Sequence, residues 1–160
     1  EGPAGIALTR QNIPVFKRGE TDATGSVFAG AENTAKGAYT LIDAGAGKSP
    51  ALVLLATGSE VQLAVAAREQ LEAAGVATRV VSAPCVEWFE EQDAAYRASV
   101  LPAGVPTVSV EAGLALGWSK YAQAHVSIEH FGASADFKTL FREFGMTTEN
   151  VIATAKSLLG

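Results

Sequence analysis

Cysteine is nearly missing from this sequence: Cys85 stands alone, which excludes an internal disulfide framework and fits a reducing, cytoplasmic setting. His125 and His130 are the only histidines, and no ligand-like spacing links them to Cys85, so structural zinc has no support. Basic clusters are also missing. Lys17-Arg18 is the only adjacent basic pair, and twelve basic against seventeen acidic residues leave a net charge of −5. That balance argues against nucleic acid, because neutralising phosphates takes clustered Lys and Arg. Apolar runs such as residues 51–56 fall far short of the roughly 20 residues a membrane helix needs. No charged-then-apolar opening suggests a signal peptide, and Glu1 in place of Met suggests a processed or trimmed start.

What is present suits one globular domain. With 160 residues the chain can bury roughly two thirds of its unfolded surface. Hydrophobic residues at 48% and charged residues at 18% are ordinary for a soluble protein, although a mean hydropathy of +0.19 is high for a freely soluble surface. Residues 5–9 read as a short apolar strand ending at Arg10. Residues 17–37 have little apolar surface and read as a linker or surface crossing, placing a boundary near residue 30. Residues 1–30 are then the tail of a preceding unit with its linker, and 31–160 form the main domain.

Beyond residue 39 the pattern alternates. Strands are expected at 39–42, 51–56, 78–82 and 107–111, with a short candidate at 127–130. Helices are expected over 60–74, 87–91, 93–99, 117–124, 136–144 and 148–159, the last with a clear stripe of Val151, Ile152, Ala155, Leu158 and Leu159. This is an α/β pattern. It implies a three-layer, Rossmann-like domain with a mostly parallel sheet of about five strands, right-handed crossovers and helices on both faces.

The turn Thr57-Gly58-Ser59-Glu60 is the strongest local signal for a site. It joins a buried strand to a helix, Thr57 and Glu60 have capping-box spacing, and Gly58 permits an unusual backbone angle. Thr57, Gly58 and Ser59 therefore form a possible anion site, since helix N-termini at the carboxyl ends of strands attract phosphates. The plain alternative is a well-capped turn with no ligand. Neither a G-x-G-x-x-G nor a Walker lysine accompanies it, and a cap alone carries no ligand information. Arg10, at a strand end, is either a surface charge or a bidentate phosphate contact. Glu111 invites an acid or base role, His130 reads as a hydrogen-bonded structural group, and Cys85 as a small buried residue. Glu91 and Asp93 read as helix-start carboxylates. Of the aromatics, most belong to the core; any exposed together would mark a subunit contact.

A fixed order of segments adds to this. Leu-Thr-Arg-Gln-Asn (8–12), Ala-Thr-Gly-Ser-Glu-Val (56–61), Ser-Ala-Pro (82–84), Gln-Asp-Ala-Ala-Tyr-Arg (92–97), Ser-Val-Leu-Pro (99–102), Val-Glu-Ala-Gly (110–113) and Phe-Gly-Ala-Ser-Ala (131–135) closely resemble the C-terminal end of transketolases. The resemblance runs from about residue 3 to 159. The main departure is Asp136, where the family usually has proline after Ser-Ala. The Thr-Arg-Gln-Asn segment and the Gln-Asp-Ala-Ala-Tyr run favour transketolase over deoxyxylulose phosphate synthase, a relative that shares this domain.

The resemblance implies a great deal about function. It makes residues 1–30 the tail of the pyrimidine-binding domain and 31–160 the C-terminal domain. The full enzyme moves a two-carbon ketol unit from a ketose phosphate to an aldose phosphate, with thiamine diphosphate and Mg bound in the upstream domains and across a homodimer. Arg10 takes the place of the arginine that helps hold the phosphate of the sugar substrate; no role passes to Gln11 or Asn12. The glutamate that activates thiamine lies upstream, so Glu111 becomes structural, bonding loop amides after Gly113. No catalytic, cofactor or metal residue is expected in this chain, which alone should be inactive. The implied partners are the rest of the polypeptide, a second subunit and sugar phosphates, with no nucleic acid and no membrane. The alternative is a small-molecule or nucleotide-binding regulatory module built on Thr57, Gly58 and Ser59.

Overall fold

Leu52–Ala56 (β2) is buried along its whole length, because its alternate side chains enter two different cores. Leu52, Leu54 and Ala56 meet one face of the sheet, while Val53 and Leu55 meet the other. A continuous apolar strand is what burial on both faces requires. The computed structural model describes residue 3 and residues 5–160; the start at Glu1 lies outside the described residues.

Around β2 the strands Tyr39–Ile42 (β1), Thr78–Ser82 (β3), Thr107–Val110 (β4) and Ala124–Val126 (β5) complete a sheet in the order β1-β3-β2-β4-β5. Strands β3, β2, β4 and β5 run parallel, and β1 pairs antiparallel with β3. Val61–Ala73 (α1) and Thr148–Leu159 (α5) cover one face. Val86–Glu90 (α2) and Ala94–Val100 (α3) pack on the other, with Phe89 and Val100 buried and Tyr96, Trp118 and Tyr121 against them. Phe137–Glu143 (α4) precedes α5. The three-layer α/β architecture with a mostly parallel sheet is therefore present. Among the described residues, no helix is long and apolar enough to cross a membrane.

Local chemistry accounts for most boundaries. Gly75 ends α1 with φ +86°, which favours glycine, and its amide reaches the Glu72 carbonyl at 2.9 Å. Asp93 caps α3, accepting from the Tyr96 amide at 2.7 Å, and Asp136 caps α4 through the Lys138 and Thr139 amides. Asp136 thus starts its helix by capping where proline was expected. For α5 the cap is Thr147, which accepts from the Asn150 amide at 3.2 Å. Thr147→Ala is expected to cost about 1 kcal/mol, read as a lower urea midpoint at constant m-value.

Several expectations are corrected. Residues 5–9 form no strand: Ile6 is 84% and Leu8 83% exposed, because no sheet edge lies beside them to pair with. The expected helix over 117–124 is a 3-10 turn, Ala115–Gly117, followed by further turns. The chain must become extended by Ala124 to pair with Val108, so no helix fits there. The last strand accordingly lies at 124–126 and not at 127–130; the Ile128 amide leaves the ladder for the Gly113 carbonyl. Glu91 ends α2 instead of starting a helix, and Cys85 is half-buried with its thiol 3.5 Å from the Glu87 carboxylate.

Residues 17–37 are tied to the sheet by polar bonds as well as by Phe16 and Phe28, which stack at 5.3 Å and pack against the core. Asp22 accepts from the Thr24 and Ser26 amides and ion-pairs with the fully buried Arg68 of α1 at 2.6 Å. Poor in large apolar groups, the segment is ordered instead by charge-assisted bonds.

Candidate functional site

Strand order decides where a ligand crevice can lie. From β2 the chain crosses to β3 on one side, and from β4 it crosses to β5 on the other. The carboxyl ends of the neighbours β2 and β4 therefore form the topological switch point, where open α/β sheets bind ligands. Ala56 pairs with Val110, so the next residues, Thr57 and Glu111, leave the sheet side by side.

The turn after β2 begins with Gly58 at φ +57°, a conformation that favours glycine. It is a 3-10 turn, Gly58–Glu60, leading into α1. The expected capping box is not formed: the Thr57 side chain caps nothing, and Glu60 accepts instead from the Ser59 hydroxyl. Ser59 and Glu60 are both buried. Ser59 in turn receives the Gln11 amide at 2.8 Å, across 48 residues of sequence. Arg10, beside Gln11, is exposed, and no hydrogen bond or ion pair engages its guanidinium among the described residues. The structure thus brings the Arg10–Gln11 segment to the Thr57–Glu60 turn, two candidates that the sequence placed far apart.

Glu111 completes the group. Burial, and then repulsion from Glu60, push its carboxyl up to about 7 from the ordinary 4.5. Its Oε2 is buried and has no hydrogen-bond partner among the described residues. The expectation that Glu111 would bond the loop amides past Gly113 is therefore not met. The Ala115 amide goes to Glu129 at 2.8 Å instead. A Cβ on Gly113 would meet the Glu111 side chain at 3.4 Å, so this loop packs closely over the carboxyl.

Other polar groups are engaged within the fold. His125 Nδ1 lies 2.7 Å from the hydroxyl of Ser109, a cross-strand pair with Ser109 only 1% exposed and so closed to substrate. His130 meets the Phe131 carbonyl at 2.8 Å and the Phe144 ring edge-on. A cavity of about 400 Å³ lies near the other end of β4, beside Arg97, Lys120 and Tyr121. Its charges are spent internally, because Glu90 binds Lys120 at 2.8 Å and the Tyr121 hydroxyl at 2.7 Å. Those bonds, from Lys120 first and then Tyr121, hold Glu90 below the usual carboxylate range.

Gln11 and the Glu60–Glu111 pair were missed in the sequence. No spacing signals the first. The second becomes legible only once β2 and β4 are known to be parallel neighbours in this register.

Comparison with known proteins follows the same lines. A family model described as the transketolase-like TK C-terminal domain matches residues 37–147. The chain is 49% identical to a transketolase of Mycobacterium leprae over 99% of its own length, spanning 22% of that protein. Leishmania mexicana transketolase matches with a TM-score of 0.77 and 45% identity, over 82% of this chain and 19% of that one. A Pichia stipitis transketolase, solved in complex with sedoheptulose-7-phosphate, gives 0.76 and 39%, over 82% and 19%. The chain spans about a fifth of the length of the relatives it matches. It belongs to the transketolase family, and what it carries of that family is the C-terminal domain.

Proposed function

We propose that this chain serves a full-length transketolase that transfers a two-carbon ketol unit from a ketose phosphate to an aldose phosphate, and that Arg10 contacts the substrate phosphate. The observation that carries this is the Arg10–Gln11 segment, held at the turn after β2 by the bond from Gln11 to Ser59, with Arg10 exposed and its guanidinium unengaged among the described residues. An exposed arginine fork suits a phosphate bidentately. A relative solved with a sugar phosphate supports the substrate class.

The residues present do not fit a site for thiamine diphosphate and magnesium. Among the described residues, no group of three His, Cys, Asp or Glu that could hold a metal comes together. The carboxylates at the crevice, Glu60 and Glu111, are buried or half-buried, and burial raises the carboxyl of Glu111. In this reading the cofactor chemistry belongs to upstream domains, with residues 1–30 as the tail of the pyrimidine-binding domain and its linker. Leu114, Leu116 and Phe131, exposed on adjoining loops, offer apolar surface to those domains or to a second subunit of a homodimer.

The test uses the full-length enzyme. Arg10→Ala is expected to raise KM for the ketose phosphate roughly tenfold, the loss of one charge-assisted contact, with a smaller change in kcat. The 160-residue chain alone, given thiamine diphosphate, magnesium and both sugars, is expected to show no ketol transfer. Transfer by the chain alone, or an unchanged KM in the variant, overturns the proposal. The alternative, a nucleotide-binding module at Thr57, Gly58 and Ser59, has less room: the Ser59 hydroxyl is engaged and carboxylates stand beside it. A thermal shift with nucleotides would favour it.

A further inference from the structure

Residues 5–15 are exposed except at Gln11, the one half-buried position in that stretch. Ile6, Leu8 and Val15 are all more than four-fifths exposed and hold nothing in place. The Gln11 side chain, in contrast, is engaged at both ends. Its amide nitrogen donates to Ser59 Oγ at 2.8 Å, and its amide oxygen accepts from the Thr9 hydroxyl. The Thr9–Gln11 bond closes across Arg10, so the two neighbours of the arginine are tied to each other and to the turn after β2. Ser59 is itself fixed. It is buried, it donates to the buried Glu60 carboxylate, and it follows Gly58 directly off the end of a fully buried strand.

We propose that Gln11 and Ser59 are positioning residues for Arg10, setting where its guanidinium meets the phosphate of a ketose phosphate. On this view the Thr57–Glu60 turn binds no ligand. It is the fixed point from which the C-terminal domain holds a substrate-contacting segment. The amide suits this task because it donates to a hydroxyl that already gives its own proton to Glu60, so each group in the chain has one partner and one direction. This inference rests on the role of Arg10 proposed above.

The experiment measures KM and kcat in the full-length enzyme with a ketose phosphate and with an unphosphorylated ketose. Gln11→Ala and Ser59→Ala are each expected to raise KM for the phosphorylated donor about three- to fivefold, the scale of one neutral hydrogen bond. KM for the unphosphorylated donor and kcat should stay within twofold. Ser59→Thr, which keeps the hydroxyl, is expected to restore the wild-type KM. The double variant Gln11→Ala/Ser59→Ala should be no worse than the worse single variant, since both remove the same bond.

Equal rises for the two donors, no rise for either, or multiplying effects in the double variant overturn the inference. Arg10→Ala separates its failure from that of the parent proposal. If that variant shows the phosphate-selective rise while Gln11→Ala and Ser59→Ala do not, only the positioning role falls. If Arg10→Ala shows no selectivity, both fall.

Discussion

Replacing Arg68 by leucine is expected to destabilise the domain by about 3–5 kcal/mol, the usual cost of breaking a buried ion pair from one side. Arg68 is fully buried, and its guanidinium is the hub of the region where residues 17–37 meet the sheet. Nη1 binds Asp22 at 2.6 Å, Nη2 donates to Thr24 Oγ1 at 2.9 Å, and Nε lies 3.0 Å from the carbonyls of both Asp43 and Thr78. Leucine would leave those carbonyls without a donor and the Asp22 carboxylate without its cation, and buried unpaired groups carry most of the loss. Arg68→Lys keeps the charge but not the fork, so it should recover only part. Urea unfolding of the two variants checks both values.

The same pair has an acid limit. Burial raises the Asp22 carboxyl, but hydrogen bonds from Thr24 and Arg68 outweigh it and hold the group below its ordinary 3.8. A depressed carboxyl stabilises the fold above its unfolded value, and that contribution is lost as pH falls through the folded value.

Glu111 works in the opposite direction. Its carboxyl is raised from 4.5 to about 7, so between those values the folded chain holds a proton that the unfolded chain has released. Stability from this group is complete below about pH 4.5 and declines as pH rises to 7 and beyond. A full shift of that size corresponds to about 3 kcal/mol, and solvent reaching the half-buried side chain reduces it to about 2 kcal/mol. Glu111→Gln removes the ionisation, so it should be more stable than the parent at pH 8 by roughly 2 kcal/mol and nearly equal at pH 4.5. Unfolding free energies at the two pH values test this. An equal loss for both proteins between pH 4.5 and 8 would assign the slope to other groups.

Position 68 also shows how sequence and fold divide the work. The stripe of α1 at 61, 64, 65, 68 and 71 marks residue 68 as buried, yet an arginine there looks out of place on an apolar face. The carboxylate of Asp22, brought from 46 residues away, with Thr24 and the carbonyls of Asp43 and Thr78, makes it tolerable.

By itself the sequence determined the elements whose signals are local. The apolar run read at 51–56, which forms a strand over 52–56, the strand at 78–82 and the stripe of α5 were legible because burial imposes a period that the chain carries in its own order. The family was legible for a similar reason, since its segments are short and contiguous. Tertiary structure decided whatever depends on a partner distant in sequence. Residues 5–9 have strand composition but no edge to pair with, and residues 117–123 surrender a helix so that β5 can reach β4. The crevice itself was decided in the same way. Ser59 and Glu60 come near Glu111 because β2 and β4 are neighbours and their parallel register sends Thr57 and Glu111 out together, and Gln11 joins them through its bond to Ser59. Hydrogen bonds and charges act over a few ångströms, and only the folded sheet brings these residues within that range.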